Sequence, residues 1–445
     1  MNDLLKIGQI VQTKSGQPCR VDKFLGGGGQ GEVYSAAWGN GQFALKWYFK
    51  HTATSDQRKA LEDLVQAKAP SDAFLWPLDM AFSNEVPGYG YLMRLREARF
   101  KGLFDFVLGR IDPDPCFREL VTVGLGLADN FYKLHSEGLC YCDISFGNAF
   151  FDPATGEVLI CDNDNVTANR SPRVSVLGTP DFMAPEVVRG QASPSRQTDL
   201  YSLAILLFYL FHIQHPLMGR RMLSIRSWDL PARTKMLGTE PLFIFDPHDR
   251  SNEAVDKHTD PLGEAGHNAL LYWPIYPQFL RDSFIKSFTT GLHDPEHGRV
   301  TEGEWRRVLS RLRDSIYFCS CGMENFYDPD AVKAGKTPVC WACQKELRLP
   351  FRIRIDKSII MLTHQGQLFP HHLDSSKEFD FSQPSAEVQP HPTEKGVWGL
   401  KNCTTEKWVS TLPDGSTRDI DSGRSVKLTN GTRIAFGKSE GEIRY

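Results

Sequence analysis

The stretch Leu25-Gly-Gly-Gly-Gly-Gln-Gly-Glu-Val-Tyr34 is the first place where this chain could do chemistry. Gly26, Gly28 and Gly31 form a G-x-G-x-x-G, followed by Val33. Glycines of this kind let a strand-turn-strand fold close over a triphosphate, with backbone N–H groups facing phosphate oxygens. A dinucleotide-binding turn would require a helix next; residues 34–49 read as strand, which argues against it. Lys46, in Phe43-Ala-Leu-Lys-Trp47, stands alone among apolar neighbours on an alternating strand. A lone lysine is usually a solvated charge, but just after such a loop it is placed to reach α- and β-phosphate oxygens. It would need a carboxylate to hold it, and Glu62 in Arg58-Lys-Ala-Leu-Glu-Asp-Leu-Val65 is the natural candidate. Asp63 would point elsewhere on that helix.

Further along, Tyr141-Cys-Asp-Ile-Ser-Phe-Gly-Asn148 sets Asp143 five residues before Asn148. Phosphoryl transfer to a hydroxyl needs a carboxylate that orients and deprotonates the acceptor, and an amide oxygen suits Mg2+. The strand Val158-Leu-Ile-Cys161 ends in Asp162-Asn-Asp164, where Asp162 is placed to chelate Mg2+ across the phosphates. Asp164 reads as a hydrogen-bonded turn residue ahead of a second metal carboxylate, and Cys140 and Cys142 read as packing thiols. In the tail, Cys319-Ser-Cys321 and Cys340-Trp-Ala-Cys343 form two tight pairs. Their thiolates suit one tetrahedral Zn2+ with no open position, a structural site.

These groups need a scaffold, and 445 residues are too many for one hydrophobic core. Residues 9–95 read as short strands broken by Gly-rich turns, with one helix near Asp56 to Lys68. Residues 103–315 carry helix signals, as in Phe117 to Ser136 and Tyr201 to His212, and a capping box at Thr301-Glu302-Gly303-Glu304. The fold class is α+β: a β-rich small lobe, then a helical large lobe, with a cleft between them. Residues 212–274, rich in Pro, Gly, His and Asp, read as a long irregular insertion. A second, Pro-containing break runs over about 374–395. The domains are therefore residues 1–315 (small lobe to about 95), a zinc ribbon at 316–349, and a β-rich module at 350–445, where turns at Asp414-Gly415 and Asn430-Gly431 separate strand-like runs.

A net charge of −3 gives no support for nucleic acid or an acidic membrane as partner. The N-terminus lacks a signal pattern, and Leu200 to Phe211 is too short to span a bilayer, so a buried core helix and a reducing cytoplasm are the expectation.

The glycine loop, Ala44-Leu45-Lys46, Asp143 to Asn148, Asp162, Met183-Ala-Pro-Glu186 and Asp199 occur in an order that resembles eukaryotic-like (Hanks-type) protein kinases, over roughly residues 9–313. The resemblance implies a bilobal kinase fold, ATP with Mg2+, and a Ser/Thr-type hydroxyl on a protein substrate. It implies a nucleotide site of Gly26, Gly28, Gly31, Val33, Ala44, Lys46, Met93, Asn148 and Asp162, and a catalytic set of Lys46, Glu62, Asp143, Asn148 and Asp162. It also implies a buried Glu186–Arg299 pair and a brace from Asp199 to backbone N–H groups of the catalytic loop.

The departures carry meaning. Tyr141-Cys142-Asp143 replaces His-Arg-Asp, which removes the cation that receives a phosphorylated activation segment. Phosphorylation there is not expected to be an obligatory switch, although Thr167, Ser171, Ser175 and Thr179 are modifiable. Ser145 stands where Ser/Thr kinases carry lysine, and Asp162-Asn163-Asp164 replaces Asp-Phe-Gly. The catalytic set is intact, which favours an active enzyme. The alternatives are a catalytically weak nucleotide-binding pseudokinase scaffold, assembling partners through its zinc and β-rich modules, and a small-molecule kinase, against which Gly178-Thr-Pro to Ala184-Pro-Glu counts.

Phe74-Leu-Trp-Pro-Leu78, Gly90-Tyr-Leu-Met93, His215-Pro-Leu and Glu304-Trp305 resemble bacterial kinases associated with a von Willebrand A protein and a PP2C-type phosphatase in tellurite-resistance-like systems. That resemblance implies bacterial signalling or stress response. Asn430-Gly-Thr-Arg-Ile-Ala-Phe-Gly437 resembles the end of a forkhead-associated (FHA) β-sandwich. The phosphothreonine-binding residues of that family are not located here, so a docking module is the expectation.

Overall fold

The computed structural model describes residues 4–170, 177–258, 260 and 263–445. The chain forms two compact units: Met1–Pro115 with Thr122–Leu270 and Phe284–Gly303, and Cys116–Val121 with Leu271–Ser283 and Glu304–Tyr445.

The first unit opens with six short strands: β1 (Ile10–Thr13), β2 (Pro18–Gly27), β3 (Gly31–Trp38), β4 (Gly41–Tyr48), β5 (Asp79–Phe82) and β6 (Tyr89–Arg94). They close into a barrel in the order β1-β2-β3-β4-β6-β5. Alternation decides which side chains fill it: Val11, Val21, Tyr34, Ala36, Leu45, Trp47 and Leu92 are fully buried in one cluster. Between β4 and β5 lies α1 (Ser55–Gln66), started by Thr54, whose hydroxyl accepts from Gln57 N. Its buried positions are Gln57, Leu61 and Leu64, one helical stripe.

Helices dominate the sequence that follows. Phe117–Ser136 matches its expected bounds. Arg196–His212 begins with a Ser195/Thr198 capping box and is buried on nearly every side. It is the core helix that its all-round apolarity implied, and among the described residues no helix is long and apolar enough to cross a membrane.

The stretch 212–274 is irregular but not loose. Its described residues include short helices, among them a 3-10 turn at Arg220–Ser224 and α-helical segments at Leu230–Arg233 and His267–Tyr272. Leu217, Met236, Leu237, Phe243 and Ile244 are buried, and Val255 bridges Ala265. Its apolar residues follow neither helical nor strand periodicity, so the sequence hid the packing.

In the second unit, Ile316–Phe318 and Glu324–Phe326 form a hairpin. Downstream strands form two antiparallel sheets, of six and four strands, around Ile353, Leu400, Trp408, Ile434 and Ile443. Gly415 and Gly431 both take φ of 84°, the left-handed conformation that those expected turns require. The break expected over 374–395 contains strand Ala386–Pro390, paired with Trp398–Asn402. Its terminal Pro390 disguised it, a residue tolerated at the end of a strand.

Candidate active site

Lys46 lies mid-strand on β4, opposite Val33 of β3 and Tyr91 of β6. Only 4% exposed, it donates from Nζ to Asp164 Oδ2 at 2.8 Å, Gln30 Oε1 at 3.1 Å and Asp162 Oδ1 at 3.4 Å. Burial alone would depress this ammonium, but the Asp164 and Asp162 charges outweigh it and raise its pKa.

Glu62 is not among these partners, which corrects the pairing expected from sequence. Its carboxylate faces Arg58 at 3.2 Å and Lys14 at 3.4 Å. The reason is helical phase: α1 turns Gln57, Leu61 and Leu64 inward, and position 62 is rotated about 100° from position 61. The polar residue on the inward face is Gln57, whose Nε2 donates to Asp164 O at 3.1 Å. Tyr48 OH donates to Asp164 Oδ2 as well.

The catalytic loop is held by Asp199, which accepts from Tyr141 N at 2.6 Å, Cys142 N at 3.0 Å and His135 Nε2 at 3.1 Å. Within the loop, Asn148 Nδ2 donates to Asp143 O at 2.8 Å and to Asp143 Oδ2 at 3.2 Å. Both bonds use the amide nitrogen of Asn148. Thr179 Oγ1 donates to Asp143 Oδ1 at 2.8 Å. Burial raises the pKa of Asp143 against the opposing hydrogen bonds from Thr179 and Asn148.

Cys161 N donates to Asn148 O at 2.8 Å, so Asp162 emerges beside the catalytic loop. Its φ of 48° is left-handed, as is the φ of 71° at Cys142; strain of this kind is tolerated where surrounding contacts over-determine the backbone. The Asp162 side chain is 43% exposed, open to a cation.

The strands also gather the expected nucleotide-site residues. Ala44 faces Met93 across β4 and β6, and both join Val33 in one apolar cluster. Gly26 and Gly28 have open space where a Cβ would stand, so backbone can approach a ligand there. A Cβ at Gly31 would lie 2.1 Å from Trp47 O, so that glycine serves the strand pairing. Arg299 Nη2 reaches Glu186 Oε2 at 2.8 Å, the pair that the resemblance implied. Thr167 and Thr179 are placed, whereas Ser171 and Ser175 lie outside the described residues.

Sequence reasoning missed Gln30, Tyr48 and Gln57, and weighed Asp164 as a turn residue or a second metal carboxylate, not as the partner of Lys46. Gln57 was findable as the polar member of the inward helical stripe. Tyr48 and Gln30 carried no local signal.

In the second unit, the sulfurs of Cys319, Cys321, Cys340 and Cys343 lie within 4.8 Å of one another. Cys319 N to Met323 O and Cys340 N to Lys345 O close tight turns, each at 2.9 Å, that aim the thiols together.

The model of the protein kinase domain family matches residues 19–256, more than half of the chain. A cell cycle serine/threonine-protein kinase of Saccharomyces cerevisiae is 28% identical over 226 residues, 47% of this chain and 30% of the relative. A probable serine/threonine-protein kinase of Dictyostelium discoideum is 26% identical over 219 residues, 48% of this chain and 15% of the relative. The serine/threonine-protein kinase RUNKEL of Arabidopsis thaliana is 30% identical over 133 residues, 26% of this chain and 10% of the relative. The chain thus spans less than a third of the length of these relatives. With the glycine loop, Lys46, the Asp143–Asn148 loop and Asp162 gathered in the matched region, the chain belongs to the protein kinase family.

Proposed function

We propose that this chain is an ATP- and Mg2+-dependent protein kinase that transfers the γ-phosphoryl group to Ser/Thr hydroxyls of a protein partner. One observation carries the reading: Lys46 bonds Asp162 at 3.4 Å, Cys161 next to Asp162 bonds Asn148 at 2.8 Å, and Asn148 bonds Asp143 at 2.8 and 3.2 Å, although these residues are distant in sequence. Lys46 neutralises phosphate oxygens, and Asn148 and Asp162 hold Mg2+. The metal, when bound, supplies charge neutralisation on the phosphates. Asp143 orients and deprotonates the acceptor hydroxyl.

The test uses wild type, Lys46→Met and Asp143→Asn with labelled Mg-ATP and a panel of proteins. Label transfer by the wild type, lost in both variants, is the expected result. Tight ATP binding with no transfer across the panel would instead leave a nucleotide-binding scaffold.

The four cysteines hold one structural Zn2+. Sulfurs about 2.3 Å from a tetrahedral ion lie about 3.8 Å apart, and the Cys319–Cys343 and Cys321–Cys340 pairs are at 3.6 and 3.8 Å. The FHA-like β module serves docking. The local motifs support a bacterial signalling or stress-response role with a von Willebrand A protein and a PP2C-type phosphatase as partners. Co-purification from cells expressing all three proteins checks that assignment, and a kinase recovered without either one rejects it.

A further inference from the structure

We infer that Asp164, not Glu62, is the carboxylate that positions Lys46 toward the phosphates, and that α1 is coupled to the lysine through Gln57. This rests on the reading of Lys46 as the phosphate-facing lysine.

The Lys46–Asp164 pair is desolvated on both sides: the side chains are 5% and 0% exposed and 2.8 Å apart. Asp164 is fixed from three directions. Lys46 and Tyr48 donate to Oδ2, and Gln57 donates to the backbone carbonyl. Its other oxygen, Oδ1, is buried without a partner. A buried carboxylate with an unmet acceptor is costly, and such groups concentrate where function keeps them. Glu62 offers the opposite picture: its side chain is 25% exposed, and its partners Lys14 and Arg58 are half-exposed at 49% and 50%.

Phase explains why the exchange is built in. Gln57, Leu61 and Leu64 share the stripe that faces the barrel, so bringing Glu62 inward would turn Leu61 out of its fully buried site. An amide at position 57 cannot neutralise the ammonium, but it can hold the backbone of the segment that does. The lysine's anchor therefore travels with the Asp162-Asn163-Asp164 segment. Asp162, farther from the lysine at 3.4 Å, stays 43% exposed and open to the metal, while buried Asp164 at 2.8 Å is the closer counter-charge. Gln57 supplies the hydrogen bond that links α1 to the segment holding Lys46.

The experiment measures Mg2+-dependent binding of N-methylanthraniloyl-ADP to the full chain, which reads positioning without requiring a protein substrate. Lys46→Met and the isosteric Asp164→Asn should each weaken binding about tenfold, while Glu62→Gln stays within about twofold of the wild type. The Lys46→Met/Asp164→Asn double variant should bind no more weakly than Lys46→Met alone, because the two residues act as a unit. A merely structural Asp164 would lower the melting temperature and leave the affinity of the folded fraction unmoved. Tyr48→Phe, which removes one hydrogen bond from Asp164 and keeps its ring, should shift affinity the same way by less, and it carries the test if Asp164→Asn does not fold. The inference is overturned if Glu62→Gln weakens binding as Lys46→Met does while Asp164→Asn binds like the wild type. It is also overturned if the Asp164 and Lys46 effects simply add. A Lys46→Met variant that binds like the wild type removes the phosphate-facing reading itself, and the inference with it.

Discussion

Asp143 shows how one residue's surroundings set its role. Burial raises its pKa, and Thr179 and Asn148 fix its two oxygens. Asp143→Asn should therefore lower the rate of transfer by about 10²- to 10⁴-fold with little change in KM for ATP, as removal of a positioned base does. The glycines allow a sharper comparison. Gly28→Ala meets open space, so thermal melting should be unchanged while KM for ATP rises, because the added methyl stands where phosphate approaches. Gly31→Ala forces a Cβ to within 2.1 Å of Trp47 O, which should cost at least about 1–3 kcal/mol in a melting or urea experiment.

At the scale of elements, the start of helix Glu302–Asp314 is tied to the catalytic loop through a buried chain of charges. Glu302, fully buried, bonds His135 Nδ1 and the Arg196 guanidinium, and His135 Nε2 bonds Asp199 at 3.1 Å. Burial alone would lower the His135 pKa, but hydrogen bonds to Asp199 and Glu302 lift it to about 9. Burial likewise disfavours the Glu302 anion, yet His135 and Arg196 hold its pKa down to about 2. The histidine's contribution to stability is complete below its unfolded pKa of about 6.5 and is lost as pH rises through its raised value. The glutamate's contribution is present above about 4.3 and is lost as pH falls through its depressed value. Glu302→Gln should cost about 3 kcal/mol near pH 6, and its deficit against the wild type in urea titrations should shrink above pH 9. A deficit that stays constant across that range would remove the ionised histidine from the account.

At the scale of the whole molecule, Lys46, Asp143, Asn148 and Asp162 belong to the first compact unit and the cysteine cluster to the second. Elemental analysis of protein purified without chelator should find one Zn2+ per chain. Stripping the metal should lower the stability of the cysteine-bearing segment at 316–349, because so small a segment has little core without it. Binding of Mg-nucleotide by the first unit should survive that treatment. Absence of metal from the purified protein would leave the four thiols as packing groups. Trp408→Ala, at the centre of the β module, should cost about 3–5 kcal/mol without altering nucleotide affinity.

The sequence by itself determined the chemistry on offer and the order in which it arrives: a glycine turn, a strand lysine, a loop with Asp143 and Asn148, and Asp162 at a strand end. It also determined the long buried helix and the cysteine pairs, because spacing and local periodicity are properties of neighbours along the chain. Tertiary structure decided the rest. Which carboxylate meets Lys46 depends on helical phase and on a segment more than a hundred residues away. That Leu217, Met236, Leu237, Phe243 and Ile244 are buried within the stretch read as an irregular insertion depends on apolar side chains with no common period. Glu302, readable locally as part of a helix start, became the buried partner of His135 only when chain folding brought them together. Such pairings are fixed by burial and electrostatics across long sequence separations, where no local pattern records them.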